Sequence, residues 1–250
     1  MESVYVNNVS YSIKDKEIIK KIDFSLNEGE TLAILGPNGV GKTTLLKIIA
    51  GLIKPTYGNI LLYGKTPEES RKIISYLPAN PNIDPYANVE DILLAQLYGN
   101  DKKFFISKDD VNKVRKWYFK FFEKNYLKTP FSNLSSGEQR LVLLSGCFAR
   151  DPKIILLDEP VAFLDITNQA KILTFIKDIS AKMKITVIFT MHEIYYANVA
   201  NKVLLLKNGQ IKSYGSPMSV LKKEIIEDVY KIELMELSLN DKKMFFPSIF

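Results

Sequence analysis

The sequence predicts an α/β fold with a mainly parallel sheet, an N-terminal antiparallel β subdomain and an inserted α-helical subdomain. Three observations predict it. A strand-like run over 31–35 leads into Gly36-Pro37-Asn38-Gly39-Val40-Gly41-Lys42-Thr43, and a helix-like run over 43–50 follows. A second apolar run, DPKIILL over 151–157, ends in Asp158-Glu159 and reads as a strand buried in a parallel sheet. Between the two, helix signals replace strand signals over residues 88–150.

Each element has its own local warrant. Residues 3–13 alternate, with Val4, Val6 and Val9 apolar, and residues 18–26 repeat that rhythm. Both read as antiparallel strands leading into the strand over 31–35. The helix after the glycine-rich loop stops at Gly51, a natural residue for the position just past a helix end. Residues 58–64 form a strand between glycine turns, and 73–77 a short strand ending at Pro78. Asn88 with Asp91 predicts a helix start, and that helix runs to Tyr98 and stops at Gly99. Ser107 with Asp110 is a capping-box signal. The helix it opens carries Val111, Val114, Tyr118, Phe121 and Phe122 at helical spacing, an aromatic stripe suited to packing. Downstream come a helix over 168–183, a strand over 186–190, and two strand runs flanking Asn208-Gly209, a hairpin signal. The tail has one helix-like stretch, 217–230, then a weaker extended one. The expected division is a core of 1–87 and 151–215, a helical subdomain of 88–150 and a C-terminal extension of 216–250.

Composition narrows the classes. No apolar run approaches the roughly 18–20 residues of a membrane span. The opening MESVYVNNVSYS lacks the charged-then-apolar order of a signal peptide, so a cytosolic chain is expected. The single cysteine, Cys147, excludes an internal disulfide and lies in an apolar run that reads as core. The net charge of +6 invites a nucleic-acid reading. The lysines are scattered, however, and the dense runs are as short as Lys102-Lys103 and Lys222-Lys223. A solvated basic surface with no nucleic-acid partner is the expectation.

The chemistry sits in the phosphate loop. Gly36-x-x-x-x-Gly41-Lys42-Thr43 is the phosphate-binding pattern, here in the strand–loop–helix context it requires. Gly36, Gly39 and Gly41 let the backbone turn its N–H groups around an anion, and the helix N-terminus adds partial positive charge. Pro37, Asn38, Val40 and Thr44 complete the nucleotide-binding stretch. Lys42 supplies a cation for the β- and γ-phosphates, and the Thr43 hydroxyl suits Mg²⁺. The pattern in this context predicts the core of a P-loop NTPase. Asp158, at the carboxyl end of a buried strand, suits Mg²⁺ coordination, and Glu159 suits positioning and deprotonating a water.

Leu134-Ser135-Ser136-Gly137-Glu138-Gln139 resembles the signature loop of the ATP-binding-cassette (ABC) ATPases, and the likeness extends over at least residues 3–215. Ala162-Phe163-Leu164-Asp165 resembles the family's D-loop, and His192, the only histidine, follows a strand as the family's switch histidine does. The resemblance implies ATP hydrolysis with Mg²⁺, with Glu159, His192 and Lys42 catalytic and Thr43 and Asp158 on the metal. It implies that Tyr11 stacks on adenine and that Ser135, Ser136, Gly137 and Glu138 meet the ATP of a second domain. Two domains then pair head to tail, as a homodimer or with a paired ATPase subunit. Such a pair moves an integral membrane permease docked against residues 80–130, and serves a solute-binding protein indirectly. The chain is then peripheral on the inner face of the cell membrane. Two departures stand out. Ser136 and Glu138 replace the Gly and Gln the family often has, and Ala79 stands where it keeps a glutamine.

Phe163-Leu164-Asp165-Ile166 with Gln169, the segment from Val89 to Ala95, and the tail residues Gly215-Ser216-Pro217, Val220-Leu221 and Asp228-Val229-Tyr230 resemble the branch that imports iron chelates, haem and cobalamin. An exporter subunit and a non-transport ABC ATPase are the alternative readings, and a nucleotide-sensing module without turnover is a third.

Overall fold

The computed structural model describes residues 1–99, 105–162, 164–239 and 242–248. Lys102-Lys103 and Phe163, singled out above, lie outside the described residues. The elements in order are β1 (Glu2–Ile13), β2 (Lys16–Asn27), β3 (Thr31–Leu35), α1 (Lys42–Ile49), β4 (Tyr57–Leu62), β5 (Ile74–Leu77), α2 (Val89–Tyr98), α3 (Lys108–Tyr118) and α4 (Ser136–Ala149). Then follow β6 (Ile154–Leu157), α5 (Ile166–Met183), β7 (Thr186–Thr190), β8 (Lys202–Lys207), β9 (Gln210–Gly215), α6 (Pro217–Val220), α7 (Lys223–Tyr230), β10 (Leu234–Leu239) and β11 (Lys242–Pro247).

The central sheet has the order β5-β6-β7-β3-β8-β9, parallel throughout except for the β8–β9 hairpin. Its strands are apolar on both faces because both faces are covered. Leu32, Ile34, Ile154, Leu156 and Ile188 point into one core, shared with α1 and the N-terminal strands. Ala33, Leu35, Ile155, Leu157 and Phe189 point into the other, shared with α2, α3, α4 and α5. The strand period of two thus sorts neighbouring residues into opposite cores.

The antiparallel subdomain is a separate sheet of order β2-β1-β4. β4, expected only as a strand over 58–64, pairs with β1 and not with the central sheet. The β8–β9 turn fits its sequence: Asn208 and Gly209 both have positive φ, 51° and 80°, as a two-residue hairpin loop demands. Gly209 is further fixed because a Cβ there would meet the Ile18 carbonyl at 2.5 Å.

Several boundaries differ from the sequence expectation. Asn88 occupies the N-cap of α2, but its amide donates to Asp91 instead of accepting a backbone N–H. The capping box at Ser107 and Asp110 is formed in full. α3 ends at Tyr118, so Phe121 and Phe122 lie past it. They still pack, Phe122 stacking on Tyr118 at 4.6 Å and Phe121 meeting Phe175 at 4.2 Å between ring centroids. The strand over 151–157 shortens to Ile154–Leu157, since Asp151 takes a positive φ of 50° and turns the chain. The stretch 217–230 divides into α6 and α7, and the extended stretch beyond becomes the β10–β11 hairpin. Cys147 is buried. Among the described residues no helix is long and apolar enough to cross a membrane.

Candidate nucleotide-binding site

β3 lies inside the parallel part of the sheet, with β7 on one side and β8 on the other. The loop after Leu35 therefore emerges at the carboxyl edge, where open α/β sheets bind ligands. Gly36 is buried with φ 147°, and a Cβ there would meet the Leu206 carbonyl at 2.6 Å. Gly41 opens α1 with φ 111°, and a Cβ would meet Ile19 at 2.7 Å. Both positions exclude any side chain, which explains the pattern's first and last glycines.

Lys42 is almost fully buried. Its Nζ donates to the carbonyls of Gly36 at 2.6 Å and Pro37 at 3.2 Å. Burial lowers its pKa, while the nearby Glu159 and Asp158 act in the opposite direction. The ammonium thus rests on the loop's own carbonyls, a neutral seat that a phosphate can outbid.

Asp158 is buried beyond the end of β6. It accepts from the hydroxyls of Thr43 at 3.1 Å and Thr190 at 2.7 Å. Thr43 and Asp158 therefore present two hard oxygens side by side. Among the described residues no group of three or more His, Cys, Asp or Glu side chains could hold a metal. That donor set fits Mg²⁺, which takes one or two protein ligands and completes its shell with waters and substrate phosphates.

Glu159 has φ 50°, a left-handed conformation that a glutamate rarely adopts. The surrounding bonds hold it there. Its N–H donates to the Thr190 hydroxyl at 2.9 Å, and its carbonyl accepts from Arg140 at 3.0 Å. Its side chain meets His192 Nε2 at 2.6 Å. Glu159 and His192, 33 positions apart, are thus one hydrogen-bonded pair. Strain of this kind at a candidate reacting group points to a geometry imposed by the rest of the fold.

Arg140 is absent from the sequence-derived set and is the most connected side chain of the site. Its guanidinium is buried and donates to the carbonyls of Pro78, Ala79, Asp158, Glu159 and Pro160. It ties α4 to the loop after β5 and to the acid pair. The available signal was one arginine just before a run of buried apolar residues. Thr190 was missed because it closes an apolar strand and resembles core.

The signature residues sit where α4 begins. Ser135 is the N-cap, its hydroxyl accepting from Glu138 N–H, while the Glu138 carboxylate accepts from Ser135 N–H and Oγ at 2.8 Å each. The added carboxylate thus has a local partner in a capping box. Gly137 is buried, and a Cβ there would meet Asn168 at 2.4 Å. Ser136 lines an open cleft of about 470 Å³ together with Ala79, Asn80, Arg140 and Glu159. The small side chain of Ala79 leaves that space open. Tyr11 lies elsewhere, half-buried on β1 opposite Ile19, and packs on the core that Val40 of the loop also touches.

The ABC transporter family model matches residues 19–162, more than half of the chain. The chain is 30% identical over 249 residues to the molybdate import ATP-binding protein MolC of Haemophilus influenzae, covering 98% of this chain and 94% of that one. A solved structure described as an inward-facing metal-chelate type ABC transporter matches with a TM-score of 0.87 and 26% identity, over 99% of this chain and 98% of that one. A dimeric ATP-binding cassette in a post-hydrolysis state with ADP and Pi matches with a TM-score of 0.76 and 26% identity, over 86% and 98%. With the family model matched over more than half of its length and a 30% identical relative aligned almost end to end, the chain belongs to the ABC transporter family, as an ATPase subunit.

Proposed function

We propose that this ATPase binds MgATP along Gly36–Thr44, with Lys42 on the β- and γ-phosphates and Thr43 and Asp158 on Mg²⁺. Glu159 aims and deprotonates the attacking water, and His192 orients Glu159 and contacts the γ-phosphate. The observation that carries this reading is the 2.6 Å contact between His192 Nε2 and the carboxylate of a conformationally constrained Glu159. Tyr11 stacks on adenine, a contact of the kind worth about 1–3 kcal/mol. Two chains close head to tail, and Ser135, Ser136, Gly137 and Glu138 of one meet the ATP of the other. The position of these residues at the start of α4 supports this, since a helix N-terminus carries a partial positive charge that favours an anion. In domain terms, 1–87 and 151–215 hold the nucleotide, 88–150 carries the signature loop and 216–250 is an extension.

The pair works at the inner face of the cell membrane on a permease docked against the helical subdomain, fed by a solute-binding protein. The cargo we favour is an iron chelate, haem or cobalamin. The metal-chelate description of one structural neighbour supports this class, while the molybdate import of MolC marks a metal oxyanion as the competing cargo. The deciding experiment reconstitutes the chain with its permease in vesicles and measures ATP-dependent uptake of iron chelate, haem, cobalamin and molybdate in parallel. Uptake of one of the first three is expected. Uptake of molybdate alone, or outward movement, overturns the cargo assignment.

Glu138 gives a separate expectation. Glutamine also completes a capping box, so Glu138→Gln keeps α4 intact while removing a negative charge from the surface that meets the partner's ATP. ATP-driven dimerisation, followed by size-exclusion chromatography, should tighten by about 3–5-fold, the scale of a modest surface charge term. No change would place Glu138 away from the second nucleotide.

A further inference from the structure

The family match ends at residue 162, and nothing above assigns a role to the C-terminal extension. One of its side chains nevertheless reaches the phosphate loop. The Gly36 N–H donates to the Tyr230 hydroxyl at 3.1 Å. We infer that Tyr230 is a positioning residue for nucleotide binding, holding the first peptide of the phosphate loop in the conformation that accepts a triphosphate.

The argument begins with Gly36. It is buried, so its N–H needs a partner within the protein. Its carbonyl is already engaged by Lys42 Nζ at 2.6 Å. On its other side it abuts the Leu206 carbonyl, which leaves no room for a side chain. Tyr230 supplies the bond that the N–H requires. The loop's first residue is thus held from both ends, by the cation that grips phosphate and by a hydroxyl nearly 200 positions away in the sequence. Removing the hydroxyl leaves the Gly36 N–H to find water, and the peptide must rotate to do so. Nucleotide binding must then restore the original rotation.

Tyr230 is itself well fixed. It is the last residue of α7, and Lys231 closes the helix with φ 58°. Asp228, two residues earlier, accepts from Lys207 at 2.5 Å, Lys212 at 2.8 Å and Lys231 at 3.0 Å. Lys207 and Lys212 belong to the β8–β9 hairpin, so the helix is pinned to the strand whose Leu206 backs Gly36. Glu227 accepts from Leu234 N–H at 2.8 Å, which ties the helix to the β10–β11 hairpin. Burial pushes the Tyr230 phenol up to about 12. At neutral pH it is therefore an uncharged hydroxyl, able to accept from Gly36 without placing a negative charge beside the phosphate site. Val229 and Lys231 also wall an open cleft of about 390 Å³ against Pro37 and Asn38, so the extension borders the loop directly.

This inference rests on the reading of Gly36–Thr44 as the phosphate site, and a Lys42→Ala control tests that reading separately. The test is Tyr230→Phe in the full chain, which keeps the ring and its packing. ATP Kd by calorimetry and KM for ATP should both rise about 2–10-fold, the range that one net hydrogen bond covers, with kcat within about twofold. Hydrogen exchange over residues 33–44 should accelerate in the nucleotide-free variant and return to the parent value with nucleotide bound. Unchanged Kd and KM overturn the inference even where the melting temperature falls, because that result marks a structural hydroxyl only. Should Tyr230→Phe not fold, Asp228→Asn decides: it slackens the seat of α7, and a raised Kd supports the inference while parent affinity overturns it. Parent affinity in Lys42→Ala rejects the phosphate-site reading itself, whatever Tyr230 does.

Discussion

Lys42→Ala is expected to remove ATP binding, weakening it by at least about 100-fold in a calorimetric titration. The size follows from what Lys42 does in the nucleotide-free protein. Its Nζ is held by two loop carbonyls, at 2.6 and 3.2 Å, in a nearly sealed position. Two neutral acceptors make a poor home for a buried cation, as its lowered pKa reflects. A triphosphate offers charge-assisted bonds instead, each worth about 1.5–3 kcal/mol. Two of them account for the predicted loss, since 1.4 kcal/mol is a factor of ten. A variant that keeps parent affinity would require another group to neutralise the phosphates. A variant that unfolds would instead reveal Lys42 as a structural clamp on Gly36.

What the sequence disclosed of this site, and what it withheld, divides along one physical line. Features set by neighbours in the chain were legible. Gly36, Gly41 and Lys42 declare themselves because the loop's curvature needs glycine and its ligand needs a cation at fixed spacing. The capping box at Ser107 and Asp110 spans only three residues. The alternation in the second half of β2 follows from one buried face, whereas register shifts in β1 bury Ser3 beside Val4 and Val9 beside Ser10. Features set by partners far along the chain were not. β4 looks like any short strand, and only its pairing with β1 moves it to the outer sheet. Asn88 has the right type for a helix cap, yet Asp91 takes its amide. Phe121 and Phe122 keep helical spacing beyond the helix because the aromatic cluster holds them there. Arg140 and Tyr230 make contacts over 18–62 and 194 positions respectively. No local pattern encodes such distances.

Arg140 also bears on the missing glutamine at Ala79. The loop after β5 is not left loose, since Arg140 Nη1 holds the carbonyls of Pro78 and Ala79. The same guanidinium holds the carbonyls of Asp158 and Glu159. A main-chain tether therefore links that loop to the acid pair without any side chain at position 79. Such a tether transmits displacement of the loop but supplies no ligand to metal or water. On the proposed mechanism, turnover then falls more heavily on Glu159 than it would beside a glutamine.

Glu159→Gln carries that consequence to a measurement. Hydrolysis is expected to fall by about 100-fold or more, the contribution of a positioned general base, while ATP affinity stays within about threefold of the parent. Glutamine matches the shape of glutamate, and the two main-chain bonds that constrain position 159 do not involve the side chain. The constrained backbone should therefore survive. The amide can still meet His192 across the 2.6 Å contact, with the ring presenting whichever nitrogen state completes the bond. What it cannot do is take a proton from water. Two chains that close on MgATP then lack the step that reopens them, so a stable dimer should accumulate in MgATP and be absent in MgADP, as read by size-exclusion chromatography with light scattering. Turnover at the parent rate would remove Glu159 as the base. The loss of both dimer and hydrolysis, with ATP still bound, would place its main role in closure. The two outcomes separate because only the first leaves the product-forming step intact.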